Sequence, residues 1–194
     1  MEADEDATLM AEFVRTRDRR VFTRLFERYE RPIYAHARRF VADPALAEEL
    51  VQETFVRVYT TKRYEARHRF RTWLYRVATN VCLNELRRGH HGAPHEEADE
   101  RPLASPHADP EASLEGKRLA EAVQASLERL PPKQRAAFLM VRHDGMSHDE
   151  IAVALDTSVS AVKSLVHRAL ETLRRDVETA RDLEPRLAAA GETR

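Results

Sequence analysis

Apolar residues return at every third or fourth position along most of the chain, the spacing of helices that each bury one face. Leu9, Met10, Phe13 and Val14 share a face of a first helix over about 7–16. Asp18 is placed to cap a second, whose stripe runs through Phe22, Leu25, Phe26, Tyr29, Ile33, Ala37 and Phe40. Asp43-Pro44 sets an N-cap ahead of a proline at the first helical position. The third helix so begun buries Leu46, Leu50, Val51, Thr54, Phe55 and Val58, and turns Glu48, Glu49, Gln52, Glu53 and Arg57 outward. A basic loop over 60–69 leads to a fourth helix over about 70–88, with Leu74, Val77, Ala78, Val81 and Cys82 as its core positions. Helices of this length on short connections predict a compact bundle.

The pattern then fails. Between Gly89 and about Glu111, Pro94, Pro102, Pro106 and Pro110 interrupt any helix, no aromatic occurs, and Ala, Ser, His and acids dominate. That composition is a linker's. Periodicity returns with Leu114, Leu119, Val123 and Leu127, is stopped by Pro131-Pro132, and resumes to about Arg175. The alanine-rich end past Arg186 is expected to fray. The expectation is an all-α chain of two small helical domains, 1–88 and 113–184, joined by a flexible linker over 89–112 and followed by a frayed tail over 185–194.

Composition agrees with helices: only 5 of the 194 residues are glycine. The single cysteine, Cys82, can neither form an intrachain disulfide nor complete a zinc site. No apolar run approaches the roughly 18–20 residues that span a bilayer. The acidic opening of Glu2, Asp4, Glu5 and Asp6 is unlike an export signal. A cytoplasmic protein without membrane insertion is expected. The net charge of −1 conceals a segregation of charge. Between Tyr59 and Arg76 six Lys or Arg residues oppose Glu65, and between Gly92 and Glu115 seven carboxylates oppose Arg101. A basic contact surface beside an acidic tether has this signature.

Near the C-terminus, Ser147 stands three residues before Glu150, ahead of Ile151, Ala152 and Leu155, which predicts a capping box and a short helix. The turn Asp156-Thr157-Ser158 leads to a longer helix with Val162, Val166, Ala169, Leu170 and Leu173 inward and Ser160, Lys163, Ser164, His167 and Arg168 outward. A short capped helix, a turn and a longer polar-basic helix suit a helix-turn-helix in the major groove. This module alone also fits an ordinary duplex-binding regulator.

In the first domain Tyr64, Phe70, Trp73 and Tyr75 interleave with Arg63, Arg67, Arg69, Arg71 and Arg76. Trp73, Arg76, Asn80, Asn84 and Arg87 share one helix face. Aromatic rings stack unpaired bases and cations follow phosphates, so the segment suits single-stranded DNA, although the aromatics could equally pack the loop onto the bundle. No Gly-rich phosphate loop and no nucleophile–base pair occurs, so neither an enzyme nor a cofactor is expected. His90, His91 and His95 lie in the Pro-rich segment without partner cysteines, and no metal site is expected there.

Taken together, these segments resemble the extracytoplasmic-function (ECF) group of RNA polymerase sigma factors. Asp43-Pro-Ala-Leu-Ala-Glu-Glu-Leu-Val-Gln-Glu-Thr-Phe55 is similar to the family's core-binding segment, and Phe70-Arg-Thr-Trp-Leu-Tyr-Arg-Val-Ala-Thr-Asn80 to its melting segment. Leu127 to Arg175 resembles domain four, through Leu130-Pro131, Gly145-Met-Ser147, Glu150-Ile-Ala152, Val162-Lys-Ser164 and Arg168-Ala169. The resemblance implies promoter-specific transcription initiation and promoter recognition with core RNA polymerase, under transcription regulation by an anti-sigma factor. It implies that Glu48, Glu49, Leu50, Gln52 and Glu53 meet the clamp helices of the polymerase's largest subunit, with a further contact at its flap region. Arg63, Tyr64, Arg67, His68, Arg69, Phe70, Trp73, Arg76 and Asn80 would bind and melt the −10 element. Ser160, Lys163, Ser164, His167 and Arg168 would read the −35 element as duplex. The loop carries Glu65-Ala-Arg-His-Arg where many relatives have a glycine–acid turn, and Asn84 stands where aspartate is common.

Overall fold

The computed structural model describes residues 4–92 and 114–191, with side chains over 4–88 and 119–179. The predicted linker, apart from its first few residues, and the last three residues of the chain lie outside the described residues, as do the side chains of His90, His91 and His95. Eight helices and no strand are found among the described residues: α1 (Glu5–Thr16), α2 (Arg19–Arg38), α3 (Pro44–Thr60), α4 (Phe70–Gly92), α5 (Leu114–Arg129), α6 (Pro132–Arg142), α7 (His148–Ala154) and α8 (Val159–Gly191).

Local chemistry sets the starts. Asp18 accepts from the Arg20 amide at 2.8 Å and Asp43 from the Ala45 amide at 2.9 Å, with Pro44 at the first helical position. Each such cap contributes about 1 kcal/mol. Ser147 and Glu150 form the reciprocal capping box of α7, Glu150 Oε2 accepting from the Ser147 amide at 2.9 Å and Ser147 Oγ from the Glu150 amide at 3.2 Å. Pro32 lies inside α2 without ending it, because Tyr29 and Ile33, buried on either side, hold the helix to the bundle.

α1 to α4 form the first unit, in which α2 packs on α1 and α3, and α4 on α3. Its core is aromatic along one side: Phe22 meets Phe13 at 5.1 Å, Tyr59 at 5.0 Å and Phe55 at 6.3 Å between ring centroids. Cys82 is buried, and burial pushes its thiol up to about 12, so it behaves as a small apolar core residue. In the second unit α8 packs against α5, α6 and α7 around Leu139, Met140, Ile151, Val162 and Ala169. The turn before α8 uses Asp156 at φ 52°, and Gly145 at φ 61° supplies the left-handed residue between α6 and α7.

Three expectations change. α4 runs on to Gly92 and α8 to Gly191, past the expected helix ends, and the Leu-Ala-Ala-Ala stretch of α8 has high intrinsic helix propensity. Leu170, expected inward, is 38 % exposed on α8. The two units, expected at the ends of a tether, pack directly on one another through α4 against α7 and α6.

Candidate nucleic-acid interface

Three surfaces hold the residues singled out in the sequence. On α3, Glu48, Glu49 and Gln52 are exposed, Glu53 is half-buried and paired with Arg57, and Val56 beside them is 59 % exposed. Leu50 does not belong to this surface. It is 3 % exposed and packs in the core, because it lies on the same helical face as Ala47, Thr54 and Val58.

The loop after α3 presents Arg63, Arg67, His68 and Arg69 to solvent. Tyr64 instead turns inward, edge-on to Trp73 at 5.2 Å and to Phe70 at 6.2 Å. Its buried hydroxyl has no hydrogen-bond partner among the described residues, and burial, with Asp4 and Asp6 nearby, pushes it up to about 12. Phe70 is fully buried against Tyr29 and Trp73, so it underpins the loop and cannot itself meet a base. Trp73 remains half-buried and Asn80 exposed on the same face of α4.

On α8, Ser160, Lys163, Ser164, His167 and Arg168 are all exposed. Arg168 Nε donates to the Ser164 carbonyl at 3.3 Å, and His167 lies 3.4 Å from Glu171. Both contacts are within the helix, so the face is open to a partner.

The junction between the units escaped sequence reasoning. Asp144, between α6 and α7, is buried and receives His36 Nδ1 of α2 at 2.8 Å and Nη1 of Arg39, the residue that closes α2, at 2.9 Å. The other imidazole nitrogen of His36 meets the Thr79 hydroxyl of α4 at 3.0 Å, and the ring is fully buried. Arg71 of α4 donates to the Asp144 carbonyl. Arg135 of α6 crosses back to the Arg39 carbonyl at 2.6 Å, stacked over Phe40 at 6.0 Å.

Thr72, itself buried, donates to Glu150 at 3.2 Å, and at the rim Arg76 faces Asp156 at 3.6 Å. A groove of about 860 Å³ runs along this seam, with His68, Arg69 and Arg76 on one wall and Asp149, Glu150 and Asp156 on the other. The helix-turn-helix thus sets carboxylates against the cations of α4 and its loop.

Burial alone would raise Glu150, but hydrogen bonds from the Ser147 amide and hydroxyl and the Thr72 hydroxyl, with the Arg71 charge, leave it below its ordinary value. A carboxyl lowered on folding stabilises the fold above its unfolded value of about 4.5, and that contribution disappears as pH falls through the lower folded value. Glu150→Gln keeps the capping box but removes the charge. Wild type should exceed it by about 0.5 kcal/mol at pH 7, the scale of a carboxylate at a helix N-terminus. Thermal melts should show that difference vanishing as pH falls below the ordinary carboxylate range.

Residues 25–91 match the Sigma-70 region 2 family and residues 120–173 the Sigma-70, region 4 family. Curated relatives agree: the ECF RNA polymerase sigma factor SigW of Bacillus subtilis is 30 % identical over 84 % of this chain and 92 % of its own. The chain belongs to the ECF family of RNA polymerase sigma factors. It is therefore a factor for promoter-specific transcription initiation. The ECF sigma factor SigE of Mycolicibacterium smegmatis is 34 % identical over 73 % of this chain, which spans 56 % of that longer relative. The RNA polymerase sigma-H factor of Pseudomonas aeruginosa is 28 % identical over 89 % of this chain and 94 % of its own.

Two solved structures share the fold of this sigma factor. CnrH, in complex with the cytosolic domain of CnrY, superposes with a TM-score of 0.65 at 24 % identity, over 91 % of this chain and 99 % of that one. RpoE of Bartonella quintana, in complex with the anti-sigma factor NepR, gives 0.62 at 21 %, over 81 % and 96 %. Within this sigma factor, α4 lies in the region 2 match and α7 in the region 4 match, so the seam joins the two family modules. α1 lies outside both. Among the described residues no helix is long and apolar enough to cross a membrane.

Proposed function

We propose that this sigma factor binds core RNA polymerase through the outward face of α3 and opens promoters by dividing the work between its two units. Glu48, Glu49, Gln52 and Glu53 meet the clamp helices of the largest subunit, with Val56 as an apolar centre. The loop cations Arg63, Arg67, His68 and Arg69 hold the −10 strand. Trp73, Arg76 and Asn80 receive its unpaired bases, and Tyr64 and Phe70 support them from beneath. Ser160, Lys163, Ser164, His167 and Arg168 read the −35 duplex, with the second unit seated on the flap region. The sites of action are then those of polymerase, in the cytoplasm.

The observation that carries this reading is the seam. Part of the surface that suits unpaired DNA, His68, Arg69 and Arg76, faces the acids of α7 and the turn after it, while the α8 face that suits duplex stays exposed. A chain in this state cannot engage two promoter elements about 50 Å apart, one and a half turns of duplex. A larger partner has to separate the units. The acidic segment over 93–113, which lies outside the described residues, then spans them in a basic channel of the polymerase.

Energies point the same way. Opening about ten base-pair steps costs on the order of 14 kcal/mol, while two stacked bases return roughly 2–6 kcal/mol. This sigma factor nucleates melting and polymerase sustains it. An anti-sigma factor that keeps the units closed, or covers α3, would silence it.

Promoter fragments in a binding titration test the reading. Core polymerase loaded with this chain should bind them tightly and specifically, and the free chain should not. Equal affinity of the free chain for promoter duplex would refute the division of labour and favour a simple duplex-binding regulator.

A further inference from the structure

The loop over 62–69 is rooted at the end of α3 and the start of α4, and a single helix grips both roots. α1 does so with opposite charges at its two ends. Asp4, its N-cap, accepts from the Ala7 amide at 3.4 Å with one carboxylate oxygen and from the Phe70 amide at 2.6 Å with the other. Phe70 opens α4, whose first amides have no acceptor within the helix. Arg69, just before it, has no acceptor in its side chain. The cap of α4 therefore comes from a carboxylate 66 positions away in sequence.

The other end of α1 is closed by Arg17 in the left-handed conformation, φ 57°, its amide donating to the Phe13 carbonyl at 2.8 Å. That turn directs the guanidinium to the carbonyls that close α3: Nη1 donates to Tyr59 at 2.9 Å and Nη2 to Thr61, its C-cap, at 2.7 Å. The same group lies over the Phe13 ring at 5.4 Å. Both charges match the helix ends they meet, an anion at the start of α4 and a cation at the end of α3.

α1 is itself held rigidly. Leu9, Met10 and Phe13 are buried, and Asp6 pairs with Arg28 and accepts from the Tyr29 hydroxyl at 2.7 Å. The rise from Asp4 to Arg17 is about 20 Å, so both loop roots are fastened to one rod of fixed length.

We infer that α1 is a brace for the base-capturing loop, and that Asp4 and Arg17 are positioning residues which set −10 base preference without touching DNA. The inference rests on the reading that this loop captures a −10 base. It concerns residues outside both family matches, 25–91 and 120–173.

The test uses holoenzyme assembled with the full chain and a promoter library randomised at the −10 and −35 elements, with transcripts counted by sequence. Asp4→Ala removes the acceptor, and Asp4→Asn restores a neutral one. Arg17→Gly removes the guanidinium at a backbone position that glycine adopts without strain, so no backbone distortion is added to the lost contacts.

Asp4→Ala and Arg17→Gly should each flatten preference at a −10 position by about fivefold, part of what one captured base contributes. Asp4→Asn should recover much of it, and the −35 preferences should not move. A −10 profile unchanged in both variants, with only the melting temperature lowered, would overturn the brace and leave α1 a structural helix. Arg69→Ala, within the loop itself, separates the two levels. If it too leaves the −10 profile unchanged, the loop is not the reader, and the proposed function falls at this point together with the brace.

Discussion

Asp144→Ala should open the molecule. The carboxylate is the acceptor for a fully buried His36 and for Arg39, and truncation strands both donors at the seam. Breaking such a buried pair costs about 3 kcal/mol at the lower end, a factor of roughly 150 in the docking equilibrium. Arg135 to the Arg39 carbonyl and Arg71 to the Asp144 carbonyl survive the substitution, since both acceptors are main-chain oxygens. The other contacts are the Thr72 to Glu150 hydrogen bond at 3.2 Å and, at the rim, Arg76 to Asp156 at 3.6 Å, an exposed ion pair of about 0–1 kcal/mol.

Neither unit needs this carboxylate for its own core, since its side chain reaches across to α2. The variant should keep the helical content of wild type in circular dichroism while its radius of gyration in small-angle scattering increases. The uncovered α4 should also bind a single-stranded −10 oligonucleotide more tightly without polymerase. An unchanged radius would mean that apolar contacts along α4 and α7 suffice and that Asp144 is not the latch.

The second large effect belongs to Trp73, the only tryptophan of the chain. It is half-buried on the α4 face, edge-on to Tyr64 and 5.8 Å from Phe70. A base stacked there contributes about 1–3 kcal/mol. Trp73→Ala should therefore weaken holoenzyme binding of the single-stranded −10 element by about ten- to a hundredfold. The −35 duplex should bind as before. Loss of −35 binding to the same extent would show that the substitution disrupts the fold and not a stacking platform.

How far the sequence revealed this depends on the range of each interaction. Local signals were legible. Asp18, Asp43 and Ser147 cap the helices their neighbours predicted, and the stripes on α2 and α3 became core. The exposed and buried faces of α8 also followed from spacing, apart from Leu170. Periodicity already set Leu50 on the buried stripe of α3, whereas the resemblance set it among the polymerase-binding residues; its side chain is core, and so is Phe70, one turn before Leu74.

The long-range pairs gave no local signal. His36 and Asp144 stand 108 positions apart, and Asp4 and Phe70 stand 66 apart. One hint was available. His36 falls on the apolar stripe of α2 between Ile33 and Phe40, where a buried imidazole must find polar partners. Arg17 offered none, since a left-handed arginine after a helix is evident only from the backbone.

Run-off transcription with purified core polymerase on random promoter fragments, with start sites sequenced, bears most directly on the central claim. Added chain should produce discrete start sites that core alone does not use. Each should lie downstream of two conserved elements, one read as duplex and one melted, and Asp144→Ala should use the same sites. A chain that fails to associate with core polymerase, or associates and directs no new starts, would contradict the account.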